Sequence, residues 1–126
     1  MQPYEHLLAW QRCHRLVIEI YRVTNGWPAS ERFGLVTQIR RAGISAASNI
    51  VEGNARRGPR ELHRFLQVAA GSIAEVGYLI RVAEDLGIVE GESAMALRRA
   101  CDEAARLTWL LLRGTAKATR GLPSRK

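Results

Sequence analysis

Cysteine and long apolar runs are scarce in this sequence, and each shortage excludes a class of protein. The two cysteines, Cys13 and Cys101, are too few for a disulfide framework. Both fall on apolar helical faces, which predicts buried free thiols. Apolar runs such as residues 109–112 are far shorter than a membrane span. The N-terminus has Glu5 and no basic-then-apolar signal pattern, so we expect a cytoplasmic protein without membrane association.

Motifs for catalysis are also missing. The histidines His6, His14 and His63 show no spacing typical of a metal site. There is no glycine-rich phosphate loop, and no serine or cysteine has an evident base nearby. Two carboxylates inside the fold, Glu52 and Glu75, are more simply explained as ion partners of arginines. The sequence predicts a protein that is not an enzyme and needs neither metal nor cofactor.

Positive charge is what the chain has in excess. Nineteen lysines and arginines stand against 12 acids, which gives a net charge of +7 and a pI near 10.4. This balance suits binding to nucleic acid, to an anionic membrane surface or to an acidic protein. A genome-wide preference for arginine would produce the same excess, because only Lys117 and Lys126 are lysines.

Apolar residues recur every three or four positions in four segments, the spacing of amphipathic helices. Glycine and proline interrupt the pattern near residues 25–28, 56–59 and 87. We predict helices at about 6–24, 30–55, 59–86 and 92–113, within one domain at 1–114, followed by a basic tail at 115–126. Short loops between long helices favour an all-α, antiparallel, up-down-up-down four-helix bundle.

The stretch from Gln38 to Arg57 carries two stripes at helical spacing. The apolar stripe should pack on helix 3 in a register where facing positions sum to roughly 115. That register places Arg41 opposite Glu75 and predicts an ion pair between them. We therefore expect Glu75→Ala to destabilise the fold more than Glu84→Ala. The predicted polar network comprises Gln38, Arg41, Ser45, Asn49, Glu52 and Glu75.

The same stretch resembles the 23S rRNA intervening-sequence protein family of bacterial four-helix-bundle proteins. The motif comprises Gln38-Ile39-Arg40-Arg41-Ala42, Ser45, Asn49-Ile50 and Glu52-Gly53. Further similar positions are Trp10, Tyr21, Trp27-Pro28, Glu31, Phe33-Gly34-Leu35, Arg57, Glu61, Phe65, Ala69, Ser72 and Glu75. The resemblance spans about residues 4–112. Val51 departs from it, since the family usually has a small residue there.

The resemblance implies a four-helix bundle that assembles as a ring-shaped homopentamer. Family members are named for reading frames inside insertions in bacterial rRNA genes, and no general biochemical activity is established for them. A related branch, the accessory variability proteins of diversity-generating retroelements, comprises basic pentamers that bind a reverse transcriptase and nucleic acid.

Two basic segments are candidate phosphate contacts. The first is a corner around the turn between helices 2 and 3, where a helix N-terminus adds partial positive charge. The second is the C-terminal segment, which has no acid after Arg113. A solvated helix start and a frayed terminus are the alternative interpretations. The predicted nucleic-acid-binding residues are Arg56, Arg57, Arg60, Arg64, Arg113, Lys117 and Arg120.

The run from Leu107 to Leu112 is apolar nearly all round, whereas a helix in a small bundle hides only one face. A wide core face would explain it, but an interface between subunits explains it better. The predicted interface residues are Leu107, Trp109, Leu110 and Leu112.

These observations lead to one functional hypothesis and two alternatives. We expect a non-catalytic helical bundle that forms a homo-oligomer and binds the backbone of RNA or DNA. Another protein is a further candidate partner. The alternatives are a protein-interaction ring without nucleic-acid binding and a retroelement accessory protein that binds a reverse transcriptase.

Overall fold

The computed structural model describes residues 1–122 and confirms the all-α fold; within these residues there is no strand. Four long helices account for most of the chain: α1 (Leu8–Thr24), α2 (Thr37–Ala55), α3 (Pro59–Asp85) and α4 (Gly91–Thr119). Short 3-10 helices at Pro3–His6 and Ala29–Glu31 and a π-helical turn at Arg32–Val36 precede α1 and α2.

Side-chain contacts show that neighbouring helices run antiparallel and that α1 closes the bundle against α4. On α1, the Cys13 sulfur lies 3.6 Å from the Thr108 hydroxyl of α4. Between α2 and α3, the hydroxyls of Ser45 and Ser72 are 2.9 Å apart. Ser45 and Ser72 are also nearly opposite in the predicted register. The core between the helices contains fully buried apolar side chains such as those of Leu16, Ile50 and Leu97.

The helices α2 and α3 approach each other closely at Gly53. A Cβ atom on Gly53 would lie 2.8 Å from the Cβ of Phe65 and 3.1 Å from the Cδ1 of Leu62. Backbone-proximal atoms such as a Cβ cannot rotate away, so a larger residue would push the helices apart. Gly53 therefore sets the spacing of α2 and α3 beside their connecting turn.

The predicted ion pair between Arg41 and Glu75 is not formed. Both side chains are exposed, and among residues 1–122 neither makes an ion pair. Glu84 instead pairs with Arg98 of α4, whose Nε donates to Glu84 Oε2 at 2.9 Å. This hydrogen bond lowers the pKa of Glu84 below its ordinary value. The expected order of Glu75→Ala and Glu84→Ala is therefore reversed, because only Glu84 joins two helices.

Two predicted helix boundaries also differ from the structure. The segment before α2 is irregular from Ala29 to Val36, where Gly34 has non-helical backbone angles and Phe33 is exposed. The N-terminal cap of its π-helical turn is Glu31, whose carboxylate accepts a hydrogen bond from Leu35 N–H. At the other end, α4 continues past Gly114 to Thr119, so the first five residues of the predicted tail are helical.

Helix α3 is long and apolar enough to cross a membrane by length and composition, with a mean hydropathy of 1.3 over its best 18-residue window. The central helix of a bundle meets the same criteria. Ile73, Val76 and Ile80 of α3 are buried in the core shared with α2 and α4, which accounts for its apolar character.

Replacing Gly53 by alanine tests the close approach of α2 and α3. We expect Gly53→Ala to lower the free energy of unfolding by about 1–3 kcal/mol, because the methyl group overlaps Phe65. Gly71→Ala is the matched control, since a Cβ at this α3 position meets no atom within 4 Å. It should raise the free energy of unfolding by about 0.5–1 kcal/mol through helix propensity. Urea titrations followed by circular dichroism measure both, and equal effects would contradict the packing described here.

Candidate nucleic-acid interface

A side-chain contact joins the start of α3 to the end of α4. His63 Nδ1 lies 2.9 Å from the hydroxyl oxygen of Thr115, and that hydroxyl donates to the carbonyl oxygen of Leu112 at 2.8 Å. Since a hydroxyl has one proton, His63 Nδ1–H must be the donor to Thr115. Thr115 is buried although it lies beyond Gly114, which explains why the helix continues through this region.

This contact places the two basic segments at the same end of the bundle. The turn between α2 and α3 supplies one group of cations and the last turns of α4 supply the other. We call this surface the basic end, and it comprises Arg56, Arg57, Arg60, Arg64, Arg113, Lys117 and Arg120. All seven residues were predicted from the sequence, but as two unrelated patches.

Two of these arginines are held in place by neighbouring groups. Arg64 pairs with Glu61 at 3.2 Å, and its guanidinium carbon lies 4.5 Å from the centre of the Phe65 ring. Arg56 pairs with Glu52 at 3.2 Å and approaches the same ring at 5.4 Å. These contacts fix both guanidinium groups, and the carboxylates neutralise part of their charge.

Three other cations of the basic end have no counterion among residues 1–122. Arg57, Lys117 and Arg120 are exposed, and within residues 1–122 none of them forms an ion pair. The N-terminus of α3 adds partial positive charge beside them, and no side chain caps its first turn. The turn can take this shape because Gly58 has a φ of +88°, which a residue with a side chain rarely adopts.

The apolar run on α4 has an exposed part and a buried part. Trp109 and Leu110 are 54% and 46% exposed, whereas Leu107 and Leu112 are partly buried against the core. The guanidinium of Arg113 lies 4.8 Å from the centre of a Trp109 ring. The predicted interface and the basic end therefore meet at Trp109 and Arg113.

The predicted polar network on α2 is smaller in the structure. Asn49 donates to the carbonyl and hydroxyl oxygens of Ser45, which in turn contacts Ser72. Gln38 is exposed and makes no side-chain hydrogen bond among the residues described. The structure therefore joins Ser45, Asn49 and Ser72 across α2 and α3, and leaves the ends of the stripe at the surface.

The two thiols are unsuited to nucleophilic chemistry. Burial raises the pKa of both Cys13 and Cys101 to about 11, so they are protonated at neutral pH. Both are free cysteines, as predicted. Within residues 1–122 there is also no group of three or more His, Cys, Asp or Glu side chains that could hold a metal ion.

Sequence reasoning did not predict that the two basic segments meet, because helix 4 was ended at residue 113. The fold-back used for helices 2 and 3, applied to helices 3 and 4, brings the start of one next to the end of the other. The sequence signal for a longer helix was the position of Thr115. It continues the inward-facing spacing of Leu97, Cys101, Ala104, Thr108 and Leu111.

A comparison with protein-family models matches residues 5–109 to the family described as 23S rRNA-intervening sequence protein. The chain belongs to this family. A comparison with curated proteins finds no match. The matched range includes Arg56, Arg57, Arg60 and Arg64 of the basic end. Arg113, Lys117 and Arg120 lie beyond it, so this 23S rRNA intervening-sequence protein carries part of its basic end outside the family pattern.

Proposed function

We propose that this protein is a non-catalytic helical bundle that binds the phosphate backbone of RNA or DNA through its basic end. The observation that carries the proposal is the contact between His63 and Thr115, which brings the two basic segments together. Family membership is compatible with this role and does not specify it.

Charge at the basic end is concentrated in a way that suits a polyanion. Its seven cations face only two acids of the same segments, Glu52 and Glu61, and these already pair with Arg56 and Arg64. Arg57, Lys117 and Arg120 can therefore contact phosphates without first breaking an ion pair. Phosphate contacts of this kind give affinity without sequence specificity.

The fixed arginines would have a second role. Arg64 and Arg56 are oriented by Phe65, so less rotamer entropy is lost when they bind phosphate oxygens. The N-terminus of α3, which no side chain caps, lies between Arg56 and Arg64 in the sequence. Its partial positive charge favours an anion near these two arginines.

Binding of a generic single-stranded RNA at several salt concentrations tests the proposal. We expect the triple variant Arg57→Gln, Lys117→Gln, Arg120→Gln to bind more weakly at low salt. Loss of three phosphate contacts should reduce the slope of log K against log salt by about 2, since each contact on a single strand contributes about 0.7. Fluorescence anisotropy measures both quantities.

A control variant with the same net charge separates position from charge. Arg41, Arg99 and Arg106 are exposed, form no ion pair among residues 1–122 and lie on the sides of the bundle. Their triple replacement by glutamine should leave the salt slope nearly unchanged. Equal losses in the two variants, or no binding by the unaltered protein at low salt, would refute the proposal and favour a protein-interaction role.

We also infer that the protein forms a homo-oligomer, with α4 contributing to the interface. Trp109 and Leu110 support this, because side by side they expose apolar surface that nothing in residues 1–122 covers. In an oligomer the basic end would be repeated in each copy, and several weak phosphate contacts would add up to useful affinity.

The mass of the protein in solution tests this inference. Light scattering should give a multiple of the 14.1 kDa chain mass. The variant Trp109→Glu, Leu110→Glu should lower that mass, whereas Met95→Glu near the start of α4 should not. A mass of one chain for the unaltered protein would contradict an oligomer and leave the RNA experiment to be interpreted on its own.

A further inference from the structure

A cavity of about 300 Å³ lies at the opposite end of the bundle from the basic end. It is formed where α1 ends, where the irregular segment begins and where α2 starts. Its lining residues are Thr24, Asn25, Trp27, Pro28, Ala29, Arg32, Val36 and Arg40. Two are arginines and none is an acid, so the cavity carries net positive charge.

Arg40 is held rigidly in the cavity wall. Its Nε donates to the hydroxyl of Thr24 at 3.0 Å, and that hydroxyl donates to the carbonyl oxygen of Ile20 at 2.7 Å. The guanidinium carbon lies 4.3 Å from the centre of the Tyr21 ring. These contacts use the Nε and one face of the guanidinium group, and its two terminal nitrogens have no acceptor among residues 1–122.

Two further donors at the cavity, on Arg32 and Trp27, have no acceptor among residues 1–122. Arg32 makes no ion pair within the described part of the chain. Trp27 is nine-tenths buried, and its indole Nε1–H has no hydrogen-bond partner there. A buried donor without an acceptor costs free energy, about 1–3 kcal/mol. Glu31 is the acid closest in sequence, and its carboxylate accepts from Leu35 N–H and does not line the cavity.

We propose that this cavity binds a small oxyanion, a phosphate group, through Arg40 and Arg32. An arginine whose terminal nitrogens are free and whose plane is fixed presents two parallel donors, the arrangement that binds phosphate or carboxylate oxygens in pairs. The volume is at the lower end of the range for ligand sites, which suits a small ion.

The proposal is independent of nucleic-acid binding at the basic end. Arg40 lies in the first turn of α2, and the basic end begins directly after the last residue of this helix, at Arg56 and Arg57. A 19-residue helix is about 28 Å long, so the two sites are well separated.

Nuclear magnetic resonance of the indole N–H groups tests the proposal on the unaltered protein. The chain has three tryptophans: Trp27 lines the cavity, Trp10 stacks on His14 and serves as the internal control, and Trp109 lies against Arg113 of the basic end, where phosphate can also bind. Titration with inorganic phosphate at constant ionic strength should shift the Trp27 signal in a saturable way. The signal of Trp10 should not follow the same curve.

Arg40→Gln and Arg41→Gln form a matched pair of variants. They remove the same charge from neighbouring positions of α2, but only Arg40 lines the cavity. We expect Arg40→Gln to weaken phosphate binding at least about tenfold, the loss of one charge-assisted pair of hydrogen bonds, and Arg41→Gln less than about twofold. Arg40→Lys keeps the charge and loses the paired donors, so it should also weaken binding.

Three outcomes would overturn the proposal. The first is the absence of a saturable shift of Trp27 in the unaltered protein, a result that does not depend on the folding of any variant. The second is an equal loss of affinity in Arg40→Gln and Arg41→Gln, which would indicate general screening of charge. The third is a lower mass in solution for Arg40→Gln without a change in phosphate affinity, which would assign Arg40 to a carboxylate of a second copy.

Discussion

The close packing of α2 against α3 is the constraint on which the rest of the structure depends. At Gly53 the two helices approach so closely that even a methyl group would overlap the Cβ of Phe65. This contact lies next to the turn at Gly58, whose positive φ reverses the chain. The turn places Arg56 and Arg57 beside the first turn of α3, and the same packing buries Phe65, on which Arg56 and Arg64 lie.

Charge is distributed along the bundle by its ion pairs. At the end opposite the basic end, Glu84 pairs with Arg98 and Asp85 pairs with Arg81, whereas Arg32 and Arg40 at the cavity form no ion pair among residues 1–122. On the sides, Glu103 of α4 approaches Arg12 and Arg15 of α1. At the basic end, the excess of cations over acids leaves Arg57, Lys117 and Arg120 without an ion pair in the described part of the chain. The excess positive charge that gives the net charge of +7 is thus concentrated in parts of the surface and is not spread uniformly over it.

Much of the fold could be predicted from the sequence, because helical periodicity and glycine-proline breaks are local signals. The register of α2 and α3 was predictable as well, since small residues such as Ala46 and Gly53 repeat on one face. The prediction of an Arg41–Glu75 ion pair was wrong. The register determines which backbone positions of α2 and α3 face each other, but it does not determine the direction of long side chains. The side chains of both residues are exposed to solvent.

The candidate sites were predictable only in part. The seven cations of the basic end were found from composition and spacing, but their meeting depends on Thr115, a buried position after a glycine that looked like a helix end. The cavity around Arg40 was missed for a different reason. It is built from an irregular segment with a π-helical turn, and such a segment has no periodicity to read.

The meeting of the two basic segments is the central claim, and paramagnetic relaxation tests it most directly. A spin label on Arg57→Cys will react selectively, since burial keeps Cys13 and Cys101 protonated and inaccessible. The account predicts strong broadening of the backbone amide signals of residues 115–120 and none in residues 91–95, which begin α4 about 40 Å away along the helix. Undiminished signals at 115–120 would contradict it.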